Sequence, residues 1–403
     1  MSDKALEGYK VLDLSWHISG PYCTKVLAEL GAEVIKVEKA DGGDPARMMP
    51  PFFEDDAHPE KSLLFLYLNT GKKSITMNLK TDQGKELLKK LVQDSDVLVE
   101  NFSPRVMPGL GLDYETLVKT NPEFIMTSIS NFGQNGPYRN YKASDITAMA
   151  MGGLMHMTGD PEREPLTYGG WQAQYQGGIS AFAATMCALF YRDMGQGKEK
   201  GQGQHIDISI MESIAQILEL FDLSYQVTGE LYSRSGMRWA NRPAWGIYPC
   251  ADGYIGLVSG PVRRWLQISK LMDERLLADP KYIARRRELA DEIDALMLGW
   301  LLEHTKEEIY HAAQSQDPKV PASPVRTPED LINSPQFEAR GFFTEVKHPV
   351  AGKGVYPGPA AKLSETPMQV TRSPLLGEHN EEVYGRMGYT RSDLKQLKNE
   401  NII

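Results

Sequence analysis

VLDLSWHISGPYCTKVLAELGAEVIKVE, residues 11–38, carries the pattern that sets the fold. Val11-Leu12-Asp13-Leu14 is a short apolar run, and Ser15 to Pro21 is a loop containing Gly20. Residues 22–30 place apolar side chains at helical spacing and stop at Gly31, a residue suited to a C-cap. Glu33 to Val37 then reads as a second strand. A strand, a crossover helix and a strand form a βαβ unit, so the two strands should be parallel. The alternation repeats downstream, with a helix near 82–94, a strand at Val97-Leu98-Val99, a helix near 113–120 and a strand from Phe124 to Ile129. The expected fold class is therefore α/β, with a doubly wound, Rossmann-like large domain.

A chain of 403 residues exceeds one ordinary core, so a second domain is expected. The texture changes from Asp145 onward. Residues 177–192 suggest a helix rich in small side chains, 195–204 a polar Gly-rich connection, and 206–227 another helix. Strands are expected within 246–258 around Ala251-Asp252-Gly253, followed by amphipathic helices over 262–312. The division read from this pattern is a large domain over 1–200, a linker helix over 201–229, a smaller α+β domain over 230–325 and a C-terminal segment over 326–403. That last segment should end in a short helix begun at Arg391-Ser392-Asp393.

Several function classes drop out. The start, Met1-Ser2-Asp3-Lys4, lacks the apolar core of a signal peptide, and no apolar run approaches the roughly 20 residues of a membrane span, which makes cytoplasm the simplest location. Cys23, Cys187 and Cys250 are too scattered for a disulfide framework or a zinc site, and the eight histidines show no ligand spacing, so no metal is expected. A net charge of −9 without a basic block argues against a nucleic-acid binder. Thr70-Gly71-Lys72-Lys73-Ser74 fails as a P-loop because Leu66 stands where its first glycine belongs. Ser15 to Gly20 lacks G-x-G-x-x-G, which removes support for a nicotinamide cofactor.

What is left is a set of loops at the carboxyl ends of predicted strands, where open α/β sheets bind ligands. They are His17-Ile18-Ser19-Gly20-Pro21, Glu38-Lys39 with Arg47 beyond it, Asn69 to Lys73, and Asn101-Phe102-Ser103-Pro104-Arg105. Together they offer an aromatic face, amides and several cations, which suits an adenine nucleotide bearing several phosphates. Any single lysine here also fits a solvated loop, and the residues alone leave both readings open.

Six segments go further. They are GPYCTKVLAELGAEVIKVE (20–38), LNTGKKSITMNLKTDQGKELL (68–88), DVLVENFSPRVMPGLGLDYETL (96–117), NPEFIMTSISNFGQNGPY (121–138), GQGQHIDISIMES (201–213) and SPLLGEHNEEVYGRMGY (373–389). In this order they resemble family III CoA-transferases across nearly the whole chain. The resemblance implies interlocked subunits, a large domain completed by the C-terminal tail, and coenzyme A or an acyl-CoA as substrate. It also implies that Ile18, Lys39, Lys72, Lys73, Asn101, Phe102 and Arg105 hold the CoA. Lys39 stands where some relatives have arginine; it keeps the charge and loses the bidentate fork.

In the family an aspartate attacks the donor thioester, and the acyl group and CoA then pass through anhydride and aspartyl-CoA intermediates. Pro165, Gly178 and Ala188-Leu189 set the frame, and the nucleophile position is Gln174. A neutral carboxamide cannot be acylated reversibly in this way. Asp145, Asp160, Glu162 and Glu164 are nearby acids whose simpler roles are a helix cap and a solvated turn. The family's racemase branch pairs the same aspartate with a histidine, and Lys142-Ala143-Ser144-Asp145 has none there.

Three readings follow. The first is a subunit of a heteromeric transferase whose homologous partner supplies the aspartate, as in the succinyl-CoA:(R)-benzylsuccinate type. The second is a homodimeric transferase with a different acidic nucleophile, and the third a non-enzymatic CoA-binding scaffold. The first explains both the retained CoA loops and the lost nucleophile. Within MRWANRPAWGIYPC (237–250), Arg238, Trp239 and Arg242 either pack against a partner or line a pocket for an aromatic or dicarboxylic acid.

Overall fold

A computed structural model describes residues 4–194, 201–218, 221–239 and 242–403. Most of the Gly-rich connection expected over 195–204 lies outside the described residues, as do positions 219–220 of the expected 206–227 helix and 240–241 of the Trp/Arg segment. The chain forms two compact units. The larger comprises Met1–Gly153, Tyr168–Glu219 and Glu338–Ile403; the smaller comprises Leu154–Thr167 and Leu220–Phe337.

The larger unit is built on six strands: β1 (Lys10–Asp13), β2 (Glu33–Glu38), β3 (Lys73–Thr76), β4 (Val97–Glu100), β5 (Ile125–Ser130) and β6 (His205–Ser209). They run in the order β3-β2-β1-β4-β5-β6, and every pairing is parallel. Such a sheet is covered on both faces, which explains why β4 and β5 are buried along their whole length. The first crossover helix spans Ser19–Glu29 and ends before Gly31, whose φ of 107° is available to glycine at no steric cost. Thr81 caps the Asp82–Gln93 helix by accepting from the Gly84 N–H, and Leu87, Leu88, Leu91 and Val92 are buried.

The C-terminal segment completes this unit. Val383, Tyr384, Leu394, Leu397, Ile402 and Ile403 join the core formed by Leu12, Ile75, Leu98 and their neighbours. The same segment covers the outer edge of β3. The Ser74 and Thr76 N–H groups donate to His379 Nδ1 (3.1 Å) and Asn380 Oδ1 (2.9 Å), and His379 N–H donates to the Ser74 carbonyl at 2.9 Å. An edge strand that would otherwise expose unpaired backbone groups is thereby closed.

Several expectations change. Residues 205–209 form a sixth strand rather than the start of a helix, with short helices at Ile210–Ala215 and Phe221–Thr228 beyond it. The alternation of Ile206 and Ile208 with polar residues suits an outer strand, and a longer apolar window had masked it. The loop 69–73 precedes a strand instead of following one, because Lys73 opens β3. The helix near 113–120 shrinks to Tyr114–Leu117, and that expected over 177–192 extends over Gln172–Met194. The C-terminal segment also contains a hairpin not expected from its Pro and Gly content, at Phe343–His348 and Gly352–Pro357.

In the smaller unit Trp245–Cys250, Gly253–Val258 and Ala322–Pro324 form an antiparallel sheet packed with helices Val262–Leu271, Ala290–Leu301 and Lys306–Gln314. Cys250 pairs with Gly253 across the expected Ala251-Asp252 turn.

Candidate active site

Strand order reverses between β1 and β4: chain connections leave β1 toward β2 and β3 on one side and β4 toward β5 and β6 on the other. Crevices form at the carboxyl ends of strands at such a switch point. A cleft of about 550 Å³ lies there, lined by His17, Ile18 and Ser19 after β1, Asn101 to Arg105 after β4, and Ile129 to Asn131 at the end of β5. Residues 139–145, Trp171 and Gln174, with Met49 and Ile210, complete it.

The loop after β1 is held open by specific contacts. Asn101 Oδ1 accepts from the Trp16 N–H (2.8 Å), while its Nδ2 donates to the Trp16 carbonyl (2.7 Å) and Ser19 Oγ (3.2 Å). Its amide therefore clamps the loop. His17 adopts a left-handed φ of 62° and donates its N–H to Asp44 Oδ1 at 3.1 Å. A non-glycine residue in that region is strained and persists where surrounding structure imposes it. Lys39 Nζ lies 4.7 Å from the Trp16 ring centroid, and Trp16 meets Phe102 edge-on at 4.9 Å. Lys39 thus connects to the cleft through two aromatic rings.

Lys72 and Lys73 are placed differently. Lys72 Nζ donates to Asp13 Oδ2, the Pro21 carbonyl and Asn69 Oδ1, each at 2.9 Å, so its three N–H donors are all engaged inside the protein. Burial lowers its pKa to about 8 against the opposing pull of Asp13. Lys73 pairs with Glu33 and Glu382. Of the seven residues expected to hold CoA, the structure brings Ile18, Asn101, Phe102 and Arg105 into the cleft and sets Lys39 behind the Trp16 ring. The same cleft gains Arg139, Tyr141 and Lys142, which the sequence reading passed over. The signal was present: they follow the carboxyl end of β5, as Arg105 follows β4.

Gln174 reaches the cleft through helix geometry. A Cβ at Gly178 would lie 2.6 Å from the Ser19 carbonyl oxygen, so the Gln172–Met194 helix approaches this loop as only glycine permits. Gln174 is one turn earlier on the same face and therefore lines the same cleft. It lies in the first turn of a 23-residue helix, where the helix dipole favours negative charge. Asp145 caps that end from outside, its Oδ1 accepting the Gln174 N–H at 3.1 Å. Burial raises its carboxyl pKa, opposed by the backbone N–H groups of Gln174 and Ala173.

A second pocket of about 440 Å³ shares Arg105 and Arg139 with the cleft and contains Glu100. Burial pushes the Glu100 carboxyl up to about 7, against hydrogen bonds from Ser128 and the Phe102 N–H. A raised carboxyl pKa means the native state holds a proton that the unfolded chain releases above its ordinary value. Stability attached to Glu100 is thus full below about pH 4.3 and falls by about 3 kcal/mol as pH rises past 7. Glu100→Gln should remove this slope, so that the variant melts above the unmodified chain at pH 8 and level with it at pH 4. Differential scanning calorimetry across that range checks the crossover.

The family model for CoA-transferase family III matches residues 6–380. This chain belongs to CoA-transferase family III. It is 32% identical to a formyl-CoA:oxalate CoA-transferase of Streptomyces coelicolor, over 100% of both chains. It is 31% identical to a succinyl-CoA–L-malate CoA-transferase alpha subunit of Chloroflexus aurantiacus, covering 99% of this chain and 92% of that one. A crystal structure of a CaiB/BaiF family protein from Brucella suis superposes with a TM-score of 0.83 at 31% identity, over 96% of this chain and 100% of that chain. As a family III CoA-transferase the chain has CoA thioesters as its substrate class. Among the described residues no helix is long and apolar enough to cross a membrane, and no group of three His, Cys, Asp or Glu is placed to hold a metal.

Proposed function

We propose that this chain is the non-catalytic subunit of a heteromeric family III CoA-transferase, interlocked with a homologous partner that bears the nucleophilic aspartate. The complex moves CoA from a donor such as succinyl-CoA to a carboxylic acid of benzylsuccinate type. One observation carries the reading: Gln174, an amide, lines the cleft at the helix N-terminus where the reaction needs a carboxylate.

In the partner, the aspartate oxygen attacks the donor thioester carbonyl, and the C–S bond breaks to release CoA thiolate and leave a mixed anhydride. The thiolate then attacks the aspartyl carbonyl, which frees the donor acid and forms an aspartyl-CoA thioester. The acceptor carboxylate attacks this thioester and expels the thiolate again, giving acceptor–aspartyl anhydride. Return of the thiolate to the acceptor carbonyl yields acceptor-CoA and regenerates the aspartate. An amide nitrogen, its lone pair delocalised into the carbonyl, does not open this sequence.

For CoA itself we assign Ile18 and Phe102 to the adenosine face and Arg105, Arg139 and Lys142 to the phosphates, with Lys39 at the rim. Lys72 and Asn101 act by shaping the loops, since their donors are already engaged, and Lys73 by its ion pairs with Glu33 and Glu382. The Chloroflexus relative, by its name a subunit of a succinyl-CoA-dependent enzyme, supports a heteromer. Asp145 is the one carboxylate among the described residues lining the cleft and favours a second reading, in which it is acylated. Its engagement with the helix N-terminus ranks that reading lower.

The purified chain should transfer no CoA from succinyl-CoA, and co-expression with an aspartate-bearing homologue should restore transfer. Turnover by the chain alone, with hydroxylamine trapping an acyl group on Asp145, would replace this proposal with the second reading.

A further inference from the structure

The smaller unit holds a pocket of about 240 Å³ lined by Arg242, Trp245, Ser259, Gly260, Arg286 and Arg287. None of the described residues lining it is acidic. Two of its guanidiniums are oriented by aromatic rings instead of carboxylates. Arg242 lies over Trp239 and Trp245, at 4.7 and 5.2 Å from the ring centroids, and those two rings are 5.1 Å apart. Arg286 lies 5.4 Å from the Trp265 ring and donates from Nη1 to the Gly260 carbonyl at 3.4 Å.

Cation–π contacts fix the position of a guanidinium without cancelling its charge. Arg242 and Arg286 therefore bring two positive charges to the pocket, and no described residue lining it is a carboxylate. Burial and the neighbouring Arg242 charge both lower the Arg286 pKa, and no described carboxylate opposes them. By contrast Arg238, which the sequence grouped with Arg242, is paired with Asp291 and Asp294. Gly260 has a φ of 58°, and a Cβ there would lie 2.6 Å from Arg264 Nη1, which brings a fourth guanidinium against the pocket wall.

We infer that this pocket is a binding site for a small carboxylate or phosphate oxyanion, recognised by the forked guanidiniums of Arg242 and Arg286 with Trp245 as an apolar wall. Its volume suits a small dicarboxylic acid and is too small for a whole CoA. Arginine matches carboxylate and phosphate bidentately, so both can supply the oxyanion. The inference is independent of the reading of Gln174, because its test involves no turnover.

Calorimetric titration of the full chain with succinate, benzylsuccinate and inorganic phosphate tests it. Saturable binding of at least one is expected, and Arg286→Met should weaken it at least tenfold while CoA affinity is unchanged. Preference for the two acids over phosphate identifies a carboxylate site, and the reverse identifies a phosphate site. Arg286→Lys keeps the charge and loses the fork, and should give an intermediate loss that also guards against misfolding of the methionine variant. Absence of saturable binding by all three probes, or binding unaffected by both substitutions, overturns the proposal.

Discussion

Gln174→Asp should give the isolated chain CoA transfer from succinyl-CoA, which the non-catalytic role proposed above denies to the unmodified chain. Loss of a nucleophile in covalent catalysis costs up to about 10⁶ in rate, and a restored carboxylate should recover a rise on the order of 10³-fold. The surroundings favour it. Position 174 lies in the first turn of a long helix, where the dipole stabilises negative charge, and it faces the loop carrying Ile18 and Ser19. Asp145, bound to the Gln174 N–H, would sit close to the new carboxylate. Like charges that close push one pKa upward, so activity should rise with pH until both groups are ionised. A discontinuous assay following acceptor-CoA by chromatography, with Gln174→Asn as the control, reads the gain. Equal rates for the unmodified chain and the aspartate variant would show that the nucleophile lies elsewhere.

The second large effect concerns stability. Beneath the cleft lies a buried ion network: Asp13 with Lys72 at 2.9 Å and Lys36 at 3.8 Å, Lys36 with Asp44 at 2.8 Å, and Arg47 with Glu38 and Glu60 at 2.7 Å each. Asp13, Lys36, Glu38, Asp44 and Arg47 are almost wholly removed from solvent. Burial alone would raise the Asp13 carboxyl pKa, but Lys36 and Lys72 outweigh it and hold it well below its ordinary range. Asp13→Ala leaves the Lys72 ammonium without its carboxylate partner and Lys36 with Asp44 alone, and breaking a buried pair in this way costs about 3–5 kcal/mol. Urea unfolding at pH 7 should show the loss as a lower midpoint.

The sign with pH follows from the depressed pKa. Stability attached to Asp13 is full above about pH 4 and is lost as pH falls through the lower folded value. The gap between Asp13→Ala and the unmodified chain should therefore narrow in acid. Lys72→Met should also destabilise the chain, since it leaves Asp13 with Lys36 alone at 3.8 Å. If Lys72→Met weakened CoA binding without moving the unfolding midpoint, Lys72 would instead be a direct ligand.

Local pattern was enough for much of this protein. The βαβ unit over 11–38, the alternation from the Asp82–Gln93 helix to β5, Gly31 as a helix stop and the hairpin at Ala251-Asp252-Gly253 were legible because each depends on neighbours in sequence, whereas β3 was not read as a strand. Gln174 was singled out by residue identity within a recognisable frame, and the fold places it in the cleft. Tertiary structure decided what depends on distant partners. The short alternation of β6 was masked by the apolar window that follows it, and its pairing with β5 settles it as a strand, while the covering of β3 by residues 374–384 joins segments some 300 positions apart. Lys72, Lys73 and Arg105 look alike in sequence as cations beside glycine or proline, yet burial and ion pairing separate them. Lys72 is enclosed with Asp13, Lys73 is held by Glu33 and Glu382, and Arg105 faces the cleft. Sequence states which charges a chain carries, but their role depends on what the fold places opposite them, and electrostatic energy depends on that distance and on the water left between.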